Sequence, residues 1–435
     1  MMWLFYNILF CIAYLALMPK YLLRMWRRGG YREDFRERFG RYAPSKEAAL
    51  ADGGRVWVHA VSVGEAMVAL TFIRTMRERR PDCRFLISVT TSTGHALLAA
   101  RRHPDDLLIY FPADFPWIAR RVAARLRPAM LVLAECELWP NLLRMLFLRK
   151  VPVFVINGRI SESSYRGYRL VRPFFRRAAA WVTRFLVQTD ADAARLADLG
   201  VAAERITVTG SAKYDVPPPA AGVAAAARQT VAAAGLDPAG LLWVMGSTWP
   251  GEEAALIRVF KALRGRFPTL QAVLVPRHME RRQEVARELE AQGVPFVTRS
   301  DMAAAGYARP ATPTAVLLAD TTGELQGYYS IATLVYVGKS LADNHGGQNP
   351  IEPAALSKAV VTGPNMENFA GVMAELLAAG ALMQVRDEAE LLEVCGRLLG
   401  DAAARDALGA RAGALVDANQ GVMAHTVALI LESGS

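Results

Sequence analysis

The stretch Val335-Tyr-Val-Gly-Lys-Ser-Leu-Ala-Asp-Asn-His-Gly-Gly-Gln-Asn-Pro-Ile-Glu-Pro-Ala-Ala355 joins a short β-branched run, a Gly-Gly loop and the start of a helix. The run predicts a buried strand that ends at Gly338. Pro350 and Glu352 suit the first turn of a helix. Such a unit can hold a nucleotide, with backbone N–H groups on phosphate and Glu352 on ribose hydroxyls. An ordinary strand-to-helix turn of an α/β protein explains the same residues, and both interpretations stay open on this stretch alone.

Length and composition predict a globular protein of two domains. The chain has 435 residues, of which 53% are hydrophobic and 21% charged. The four cysteines lack Cys-x-x-Cys spacing and the six histidines lack paired spacing, so we expect neither a disulfide framework nor a metal site. The net charge is +10, but no aromatic-interleaved basic motif accompanies it, and nucleic acid is not expected as a partner.

The N-terminus places the positive charge beside a membrane. Residues 1–19 are apolar apart from Asn7, which predicts a membrane anchor near the lower length limit for a span. The basic segment 20–54 follows it, whereas a cleavable signal peptide carries its charge in front. We therefore expect a single-pass or monotopic anchor, later domains on the cytoplasmic side, and contact of the basic segment with anionic lipids. A buried or interfacial helix is the alternative.

From residue 55 onward, short apolar runs alternate with helical segments, which predicts parallel sheets built from βαβ units. We expect a first Rossmann-like domain at 55–216, a linker at 217–240 that begins with three prolines, and a second Rossmann-like domain at 241–435. Ligands of such doubly wound sheets bind at the carboxyl ends of the strands. The predicted strands are Val56–Val58, Arg84–Val89, Leu108–Phe111, Met130–Ala134, Val151–Ile156, Phe185–Gln188, Ile206–Val208, Leu241–Met245, Gln271–Val275, Phe296–Thr298, Ala315–Leu318, Leu334–Val337 and Ala359–Thr362.

The first predicted strand runs into His59-Ala-Val-Ser-Val-Gly-Glu65, followed by a helix from Ala66. This pattern predicts Gly64 in a tight turn and Glu65 in the first helical positions, where its carboxylate is ionised and could act as a general base. Ser62 and Glu65 also fit a capping box, which would be a purely structural role. The spacing leaves both roles open.

Charged side chains follow three further strands of the first domain. Glu135 and Glu137 stand two residues apart after one strand and could bind a hydroxyl-rich or cationic group. Arg159 and Lys213 follow two others and are reasonable ligands of a carboxylate or a phosphate. Each basic residue taken alone is more often a solvated surface charge.

Most strands of the second domain also end in polar residues, usually with Gly or Pro among them. Met245-Gly-Ser-Thr248 predicts a glycine–hydroxyl turn suited to a phosphate, and Pro276-Arg-His278 offers donors. Gly363-Pro-Asn-Met-Glu-Asn-Phe369 follows the strand after the Gly-Gly loop. Neither a Gly-x-x-x-x-Gly-Lys-Ser/Thr loop nor a Gly-x-Gly-x-x-Gly after the first strand is present, which disfavours ATPases and nicotinamide enzymes.

Nearly end to end, these motifs resemble the 3-deoxy-D-manno-octulosonic acid (Kdo) transferases of lipopolysaccharide biosynthesis. The resemblance rests on the N-terminal anchor and on His59-Ala-Val-Ser-Val-Gly-Glu65, Glu135-x-Glu-Leu-Trp-Pro-Asn141, Asn157-x-Arg-x-Ser161, Gly210-x-x-Lys-x-Asp215, Gly246-Ser-Thr248, Pro276-Arg-His278, Asp320-x-x-Gly-Glu-Leu325, Gly346-Gly-x-Asn-Pro-x-Glu-Pro353 and Gly363-Pro-x-x-x-Asn-Phe369. It implies the GT-B glycosyltransferase fold, with two Rossmann-like domains facing a cleft. It also implies a CMP-Kdo donor and a lipid A precursor (lipid IVA) as acceptor, at the inner membrane of Gram-negative bacteria.

The resemblance also implies roles for individual residues. Glu65 would be the general base of an inverting transfer, and Glu135 a second catalytic residue. Residues expected to bind acceptor or Kdo are Ser62, Gly64, Glu137, Arg159 and Lys213. Residues expected to bind CMP are Ser247, Pro276, Arg277, Gly346, Gly347, Asn349, Glu352 and Asn368, with Glu352 on the ribose. CMP-Kdo is a substrate, and neither cofactor nor metal is expected.

Three positions depart from the family pattern, which usually has Gly at Lys339, His at Gln348 and His at Asn365. Gln and Asn replace a histidine's hydrogen bond but carry neither its proton nor its charge. We therefore expect no acid–base role at these positions.

Two alternatives remain open at this stage. One is another membrane-associated GT-B enzyme of nucleotide-sugars, although the anchor argues against a soluble epimerase. The other is a non-catalytic, membrane-tethered nucleotide-binding module. Such a module would keep its ligand and show no effect of Glu65→Gln.

Overall fold

The computed structural model describes residues 3, 6–12, 14–18, 34–307 and 313–433. They form two compact units, one made of Met1–Asp215 with Gly421–Ser435 and the other of Val216–Gln420.

The first unit is a parallel sheet of seven strands in the order β3-β2-β1-β4-β5-β6-β7. Strand residues in its centre are buried on both faces, which is why their sequences are mostly apolar and do not alternate with polar residues. The strands are β1 (Val56–Ala60), β2 (Phe85–Val89), β3 (Leu107–Tyr110), β4 (Met130–Leu133), β5 (Val153–Gly158), β6 (Arg184–Val187) and β7 (Ile206–Val208). The helices are α1 (Tyr6–Met18), α2 (Pro44–Leu50), α3 (Val63–Arg79), α4 (Ser92–Arg101), α5 (Pro116–Leu126), α6 (Pro140–Phe147), α7 (Glu162–Leu170), α8 (Arg172–Ala179) and α9 (Asp190–Asp198). Short 3-10 helices lie at Phe35–Phe39, Ala203–Arg205 and Ala212–Tyr214.

The second unit is also a parallel sheet of seven strands, in the order β10-β11-β9-β8-β12-β13-β14. Its strands are β8 (Leu242–Thr248), β9 (Gln271–Pro276), β10 (Phe296–Thr298), β11 (Val316–Leu318), β12 (Leu334–Val337), β13 (Val360–Thr362) and β14 (Met383–Gln384). Its helices are α10 (Val223–Ala233), α11 (Glu253–Arg266), α12 (Arg282–Ala291), α13 (Arg299–Ala304), α14 (Leu325–Ile331), α15 (Ile351–Ala355), α16 (Ala370–Ala378), α17 (Glu388–Gly400) and α18 (Ala402–Asn419), with 3-10 helices at Met279–Arg281 and Glu367–Phe369. A last helix, α19 (Val422–Ser433), returns to the first unit.

The predicted class, two doubly wound α/β domains, is confirmed. In both sheets the chain crosses over at the first strand, so β1 lies between β2 and β4, and β8 lies between β9 and β12. Ligands of open α/β sheets bind beyond the carboxyl ends of the strands near such a switch point.

The domain bounds differ from the expected ones in two places. The predicted linker 217–240 contains α10, whose Ala227 and Val231 are buried in the second unit. The predicted second domain ran to residue 435, whereas Gly421–Ser435 belongs to the first unit. Val422 and Val427 of α19 are buried in the same apolar cluster as Ala69 of α3, which explains that placement.

The anchor predicted for residues 1–19 corresponds in part to α1. Residues 1, 2, 4, 5, 13 and 19–33 lie outside the described part of the chain, and so does most of the arginine-rich start of the basic segment. Within the described residues, only Ala402–Ser433 is long and apolar enough to cross a membrane by length and composition. Leu408 of α18 and Val427 of α19 are buried in protein, so this stretch is two core helices.

Candidate active site

At the carboxyl end of β1, Ser62 and Glu65 form a reciprocal capping box on α3. The Ser62 hydroxyl accepts from the Glu65 N–H at 3.3 Å, and the two Glu65 carboxylate oxygens accept from the N–H groups of Ser62 and Val61 at 3.1 and 2.7 Å. The structural role that the spacing left open is therefore present. It fixes the Glu65 carboxylate at the sheet edge, where the side chain stays partly exposed.

Gly64 lies one position into α3, because the helix begins at Val63 and not at Ala66. The predicted tight turn at this glycine is wrong, since its backbone is helical. A Cβ at position 64 would meet only the Ser62 hydroxyl, at 3.8 Å. The glycine therefore leaves the surface in front of the helix N-terminus open.

Glu135 and Glu137 follow β4, the neighbour of β1, and lie close enough to Glu65 to interact with its charge. Burial raises the pKa of Glu135 to about 7, with a further rise from the Glu65 carboxylate. Burial likewise raises the pKa of Glu137 to about 7, and Glu65 and Glu135 add to the rise. Two like charges beside a third disfavour full ionisation. Glu135 and Glu137 are therefore partly protonated near neutral pH, and together with Glu65 they form the acidic cluster.

Arg159 and Lys213 border this acidic cluster. Both lower the pKa of Glu135 by their positive charge. Burial lowers the pKa of Lys213, and the nearby Arg159 lowers it further. Asn157, at a positive φ of 51°, orients the Lys213 segment because its side-chain oxygen accepts from the Ala212 N–H at 3.0 Å. All of the predicted site residues of the first unit thus lie beyond the carboxyl ends of its strands.

In the second unit, Ser247 lies inside β8 and not in a turn after it. The strand continues to Thr248 with a shift of register, and Ser247 has a φ of +56° and is buried. Gly246 serves packing, because a Cβ there would lie 2.0 Å from the Tyr329 hydroxyl. The predicted glycine–hydroxyl turn is therefore wrong at this strand.

Pro276 ends β9, and Arg277 is the exposed residue after it. The Arg277 N–H donates to the Thr248 carbonyl at 3.0 Å, which joins the ends of β8 and β9. Burial raises the pKa of Glu352, and this rise is partly offset by the hydrogen bond from Asn349 and by the positive charge of Arg277.

The Gly-Gly loop needs both glycines, but its N–H groups are already bonded within the protein. Gly346 and Gly347 have φ values of +100° and +67°, and a Cβ would meet Asn368 at 2.5 Å and Met366 at 2.3 Å. The Gly346 N–H donates to a Glu367 carboxylate oxygen at 2.6 Å and the Gly347 N–H to the Lys339 carbonyl at 3.1 Å. The N–H groups of these two glycines are thus engaged within the protein. The glycines instead let the loop pack closely against 366–368.

Glu352 and Asn349 are brought together after that loop. The Asn349 side-chain N–H donates to a Glu352 carboxylate oxygen at 3.2 Å, and its oxygen accepts from the Ile351 N–H at 3.0 Å. Asn368 is joined to the same loop, since its N–H donates to the Gly346 carbonyl at 3.0 Å. Glu352, Asn349, Arg277 and Asn368 therefore offer carboxylate, amide and guanidinium groups on one edge of the sheet.

Glu252 organises this edge, a role that was not predicted from its sequence context. Its side chain is fully buried, and one carboxylate oxygen accepts from the N–H groups of Trp249 and Lys339, both at 2.7 Å. The other accepts from the N–H groups of Ser340 and Leu341 at 3.3 and 3.4 Å and from the Tyr336 hydroxyl at 3.2 Å. A glutamate after a Gly at a strand end is the only local signal, and it does not distinguish a buried acceptor from a solvated carboxylate.

Within the described ranges, no group of three or more His, Cys, Asp or Glu side chains could hold a metal ion. The three first-unit carboxyl groups can accept a proton and hydrogen-bond hydroxyls, and Arg159 and Lys213 can bind an anion. The second-unit edge can bind hydroxyls through Glu352 and a negatively charged group through Arg277. Each of these two sets of groups, taken within its own unit, suits a polar, hydroxyl-bearing ligand.

Residues 33–216 match the family described as 3-deoxy-D-manno-octulosonic-acid transferase (kdotransferase). Over 431 residues the chain is 37% identical to the 3-deoxy-D-manno-octulosonic acid transferase of Bordetella pertussis, covering 96% of this chain and 97% of that protein. The protein of the same description from Haemophilus influenzae is 29% identical over 408 residues, covering 92% of this chain and 91% of its own length.

Two solved structures share the fold at low sequence identity. The UDP-GlcNAc 2-epimerase of Neisseria meningitidis bound to UDP-GlcNAc aligns with a TM-score of 0.56 at 12% identity, over 87% of this chain and 100% of that one. HepE of Anabaena in complex with UDP aligns with a TM-score of 0.52 at 15% identity, over the same shares of the two chains. The expected GT-B fold is thereby confirmed.

Proposed function

The chain belongs to the family of Kdo transferases of lipopolysaccharide biosynthesis, and we propose that it transfers Kdo from CMP-Kdo to a lipid A precursor, lipid IVA, with Glu65 as the general base. The observation that carries this proposal is the acidic cluster of Glu65, Glu135 and Glu137 at the carboxyl ends of two neighbouring strands. The glycosyltransferase class and the role in lipopolysaccharide synthesis follow from membership of the family. Donor, acceptor, stereochemistry and residue roles are the proposal.

In the proposed reaction an acceptor sugar hydroxyl attacks the anomeric carbon of Kdo. The bond from that carbon to the phosphate oxygen breaks, its electron pair leaves with CMP, and the hydroxyl proton passes to Glu65. Attack opposite the leaving group inverts the configuration. The capping bonds support this role because they hold the Glu65 carboxylate in place, and each bonded oxygen keeps a second lone pair for the proton.

The other groups of the first unit bind what surrounds that hydroxyl. Glu135 and Glu137, protonated in part near neutral pH, can both donate to and accept from sugar hydroxyls. Arg159 and Lys213 would bind an anionic group of the acceptor or the Kdo carboxylate. Ser62 and Gly64 would border the path by which the acceptor sugar reaches Glu65, since the glycine leaves room in front of α3.

In the second unit we propose that CMP lies along the edge formed by β8, β9 and β12. Glu352, oriented by Asn349, would accept from the ribose hydroxyls, and Arg277 would pair with the phosphate. Ser247, Pro276 and Asn368 would line the nucleotide, and Gly346 and Gly347 would contribute the shape of the loop. The N–H groups of these two glycines are not needed for phosphate in this arrangement.

We also propose that the protein is associated with the cytoplasmic face of the inner membrane through α1, which presents apolar side chains to the outside. Ile8, Ile12 and Leu15 of this helix are 48%, 58% and 60% exposed. The basic segment 20–54 would be attracted to the anionic headgroups of that membrane face, where the lipid precursor would also lie.

The test is transfer from CMP-Kdo to lipid IVA in detergent, comparing the wild type with Glu65→Gln and Glu135→Gln. Loss of a general base lowers the rate by about 100- to 10,000-fold, so we expect that loss for Glu65→Gln with CMP binding unchanged. Glu78→Gln, an exposed position on the same helix, is the matched control and should stay fully active.

Full activity of Glu65→Gln with loss in Glu135→Gln would move the base to Glu135. A wild type that binds CMP but transfers nothing to any glycolipid would support the non-catalytic module instead. Melting temperatures of the variants separate both outcomes from misfolding, since Gln at position 65 keeps an oxygen for the cap.

A further inference from the structure

An apolar cavity of about 250 Å³ lies between α1 and the sheet of the first unit. Phe10, Tyr14 and Leu17 of α1 form one side, and Phe111, Ala113 and Trp139 form the other. A cavity of this volume is a little smaller than the roughly 300 Å³ at which pockets begin to hold drug-sized ligands. It has room for part of one slender apolar chain and not for a whole glycolipid.

The cavity borders the acidic cluster. Trp139 ends the turn that carries Glu135 and Glu137, between β4 and α6. Phe111 stacks on His59 with ring centroids 3.7 Å apart, and His59 is the β1 residue three positions before Ser62. A molecule in the cavity therefore lies beside the residues proposed to bind the acceptor sugar.

Two side-chain atoms in the cavity wall are shielded from solvent and have no hydrogen-bond partner among the described residues, although both residues are only half-buried. They are the Thr90 hydroxyl oxygen and the Trp139 indole nitrogen. A buried donor left unpaired costs about 1–3 kcal/mol, so such atoms are usually paired in the functional state. The indole donates only, whereas the hydroxyl donates and accepts. A ligand that satisfies both has an apolar body and a carbonyl or hydroxyl group at one end.

The cavity reaches the exposed apolar face of α1 at Leu17. Leu17 lines the cavity and is also 62% exposed, next to Leu15 on the outer face. The opposite face of α1 is held to the protein, because the Tyr6 hydroxyl donates to Asp114 at 3.0 Å and the Asn141 side chain donates to Asn7 at 2.8 Å. A helix fixed along the protein with one apolar face outward suits insertion into the boundary of a membrane.

We propose that this cavity, the acyl pocket, binds one fatty acyl chain of the acceptor lipid, with Thr90 and Trp139 hydrogen-bonding the polar group at the head of that chain. The inference rests on the proposed function in so far as the acceptor is an acylated sugar. It adds a specificity site: the acyl pocket selects acylated acceptors and sets the sugar against the acidic cluster.

The kinetic test fills the pocket with Ala113→Phe and removes the hydroxyl with Thr90→Val, which keeps the shape. Transfer is measured to lipid IVA and to the same disaccharide with its acyl chains removed. We expect Ala113→Phe to raise the KM for the acylated acceptor about tenfold, since a few buried methylene groups are lost. Thr90→Val should raise it less. The KM for CMP-Kdo and for the deacylated acceptor should not change in either variant.

Equal changes of KM for both acceptors, or none for either, would overturn the acyl pocket while leaving Kdo transfer intact. Ile12→Ala, on the outer face of α1, is the control for a general effect on membrane contact. Its ratio of the KM for the acylated acceptor to the KM for the deacylated acceptor should equal that of the wild type.

A second measurement does not need turnover. A glucosamine-based glycolipid with a diazirine on its acyl chain is bound to the full-length protein in phospholipid vesicles, irradiated, and mapped by mass spectrometry. We expect labels on Phe111–Ala113 and Trp139, retained in Glu65→Gln and lost in Ala113→Phe. Labels confined to Ile8, Ile12 and Leu15 would show contact with bulk lipid only and would overturn the pocket, even if Kdo transfer is confirmed.

Discussion

Single carboxyl groups of the acidic cluster give the protein a dependence on pH that can be predicted in sign. Burial and neighbouring negative charge raise the pKa of Glu135 and of Glu137 to about 7 in the folded chain, from the ordinary value of 4.5 for a glutamate side chain. Between these values the folded state holds protons that the unfolded state has released. The two groups therefore add stability that is complete below about pH 4.5 and is lost as the pH rises through 7.

Glu135→Gln and Glu137→Gln should consequently be more stable than the wild type at pH 8 and no more stable at pH 5. The difference between the two pH values should reach about 1–3 kcal/mol, allowing for partial exposure to solvent. Chemical denaturation at both pH values measures it, and Glu78→Gln on the surface of α3 is the control. If the stability of a variant relative to the wild type is the same at both pH values, ionisation of the cluster does not destabilise the fold.

Local sequence spacing was enough to predict some of these residues and not others. The cap of Ser62 and Glu65 was one of the two roles that the spacing allowed, because a capping box is defined within four residues. Gly64 was misplaced, since the same glycine is compatible with a turn and with an open first helical turn. The electrostatic interaction between Glu65 and Glu135 could not be predicted from local spacing, because 70 residues separate them in sequence. The strand order of the sheet brings them together.

Among the elements, the ends of β8 and β12 depend on one buried side chain. Glu252 accepts hydrogen bonds from N–H groups just beyond the ends of both strands. Beyond β12, Lys339 and Ala342 have positive φ values of 60° and 55°. Its carboxylate thus holds residues 339–341, the start of the loop that contains Gly346, in one position. We infer that Glu252 positions the proposed donor site without contacting the donor.

Glu252→Gln should therefore weaken both the fold and the donor site. The new amide group would face N–H donors, which leaves buried groups unpaired at about 1–3 kcal/mol each. We expect the free energy of unfolding to fall by about 3 kcal/mol and the KM for CMP-Kdo to rise, with the KM for the acceptor unchanged. Glu290→Gln on the exposed face of α12 is the matched control. A stable variant with an unaltered donor KM would contradict the positioning role.

Element types were largely predictable, because buried strands of a parallel sheet are apolar along their whole length and are bounded by turn residues. Two departures have physical causes. The strand β14 has two residues and forms by pairing with β13, so it carries no pattern of its own. The extension of β8 to Thr248 depends on Gly246 packing under Tyr329, a contact between residues far apart in sequence.

Over the complete chain, the C-terminal helix α19 belongs to the unit that begins at the N-terminus. Both oxygens of Asp215 bind its first turn, accepting from the N–H groups of Gly421 and Met423 at 2.7 and 2.6 Å. Val427 and Ile430 are fully buried against the first unit. The sequence predicted a helix here but assigned it to the second domain, because contacts across about 200 residues decide its location and local sequence does not show them.

A chain that ends at Gln420 should therefore lose stability in the first unit and not in the second. The deletion removes four buried apolar side chains, Val422, Met423, Val427 and Ile430, each contributing about 1.5–3 kcal/mol. It also leaves the Asp215 carboxylate without its two donors. We expect limited proteolysis to degrade the first unit and to leave a resistant fragment within 216–420. A chain that ends at Leu431 keeps the buried residues and should digest like the wild type. Equal resistance of both units in the shorter chain would mean that α19 only covers a surface, whereas loss of both would mean that the second unit needs the first to stay folded.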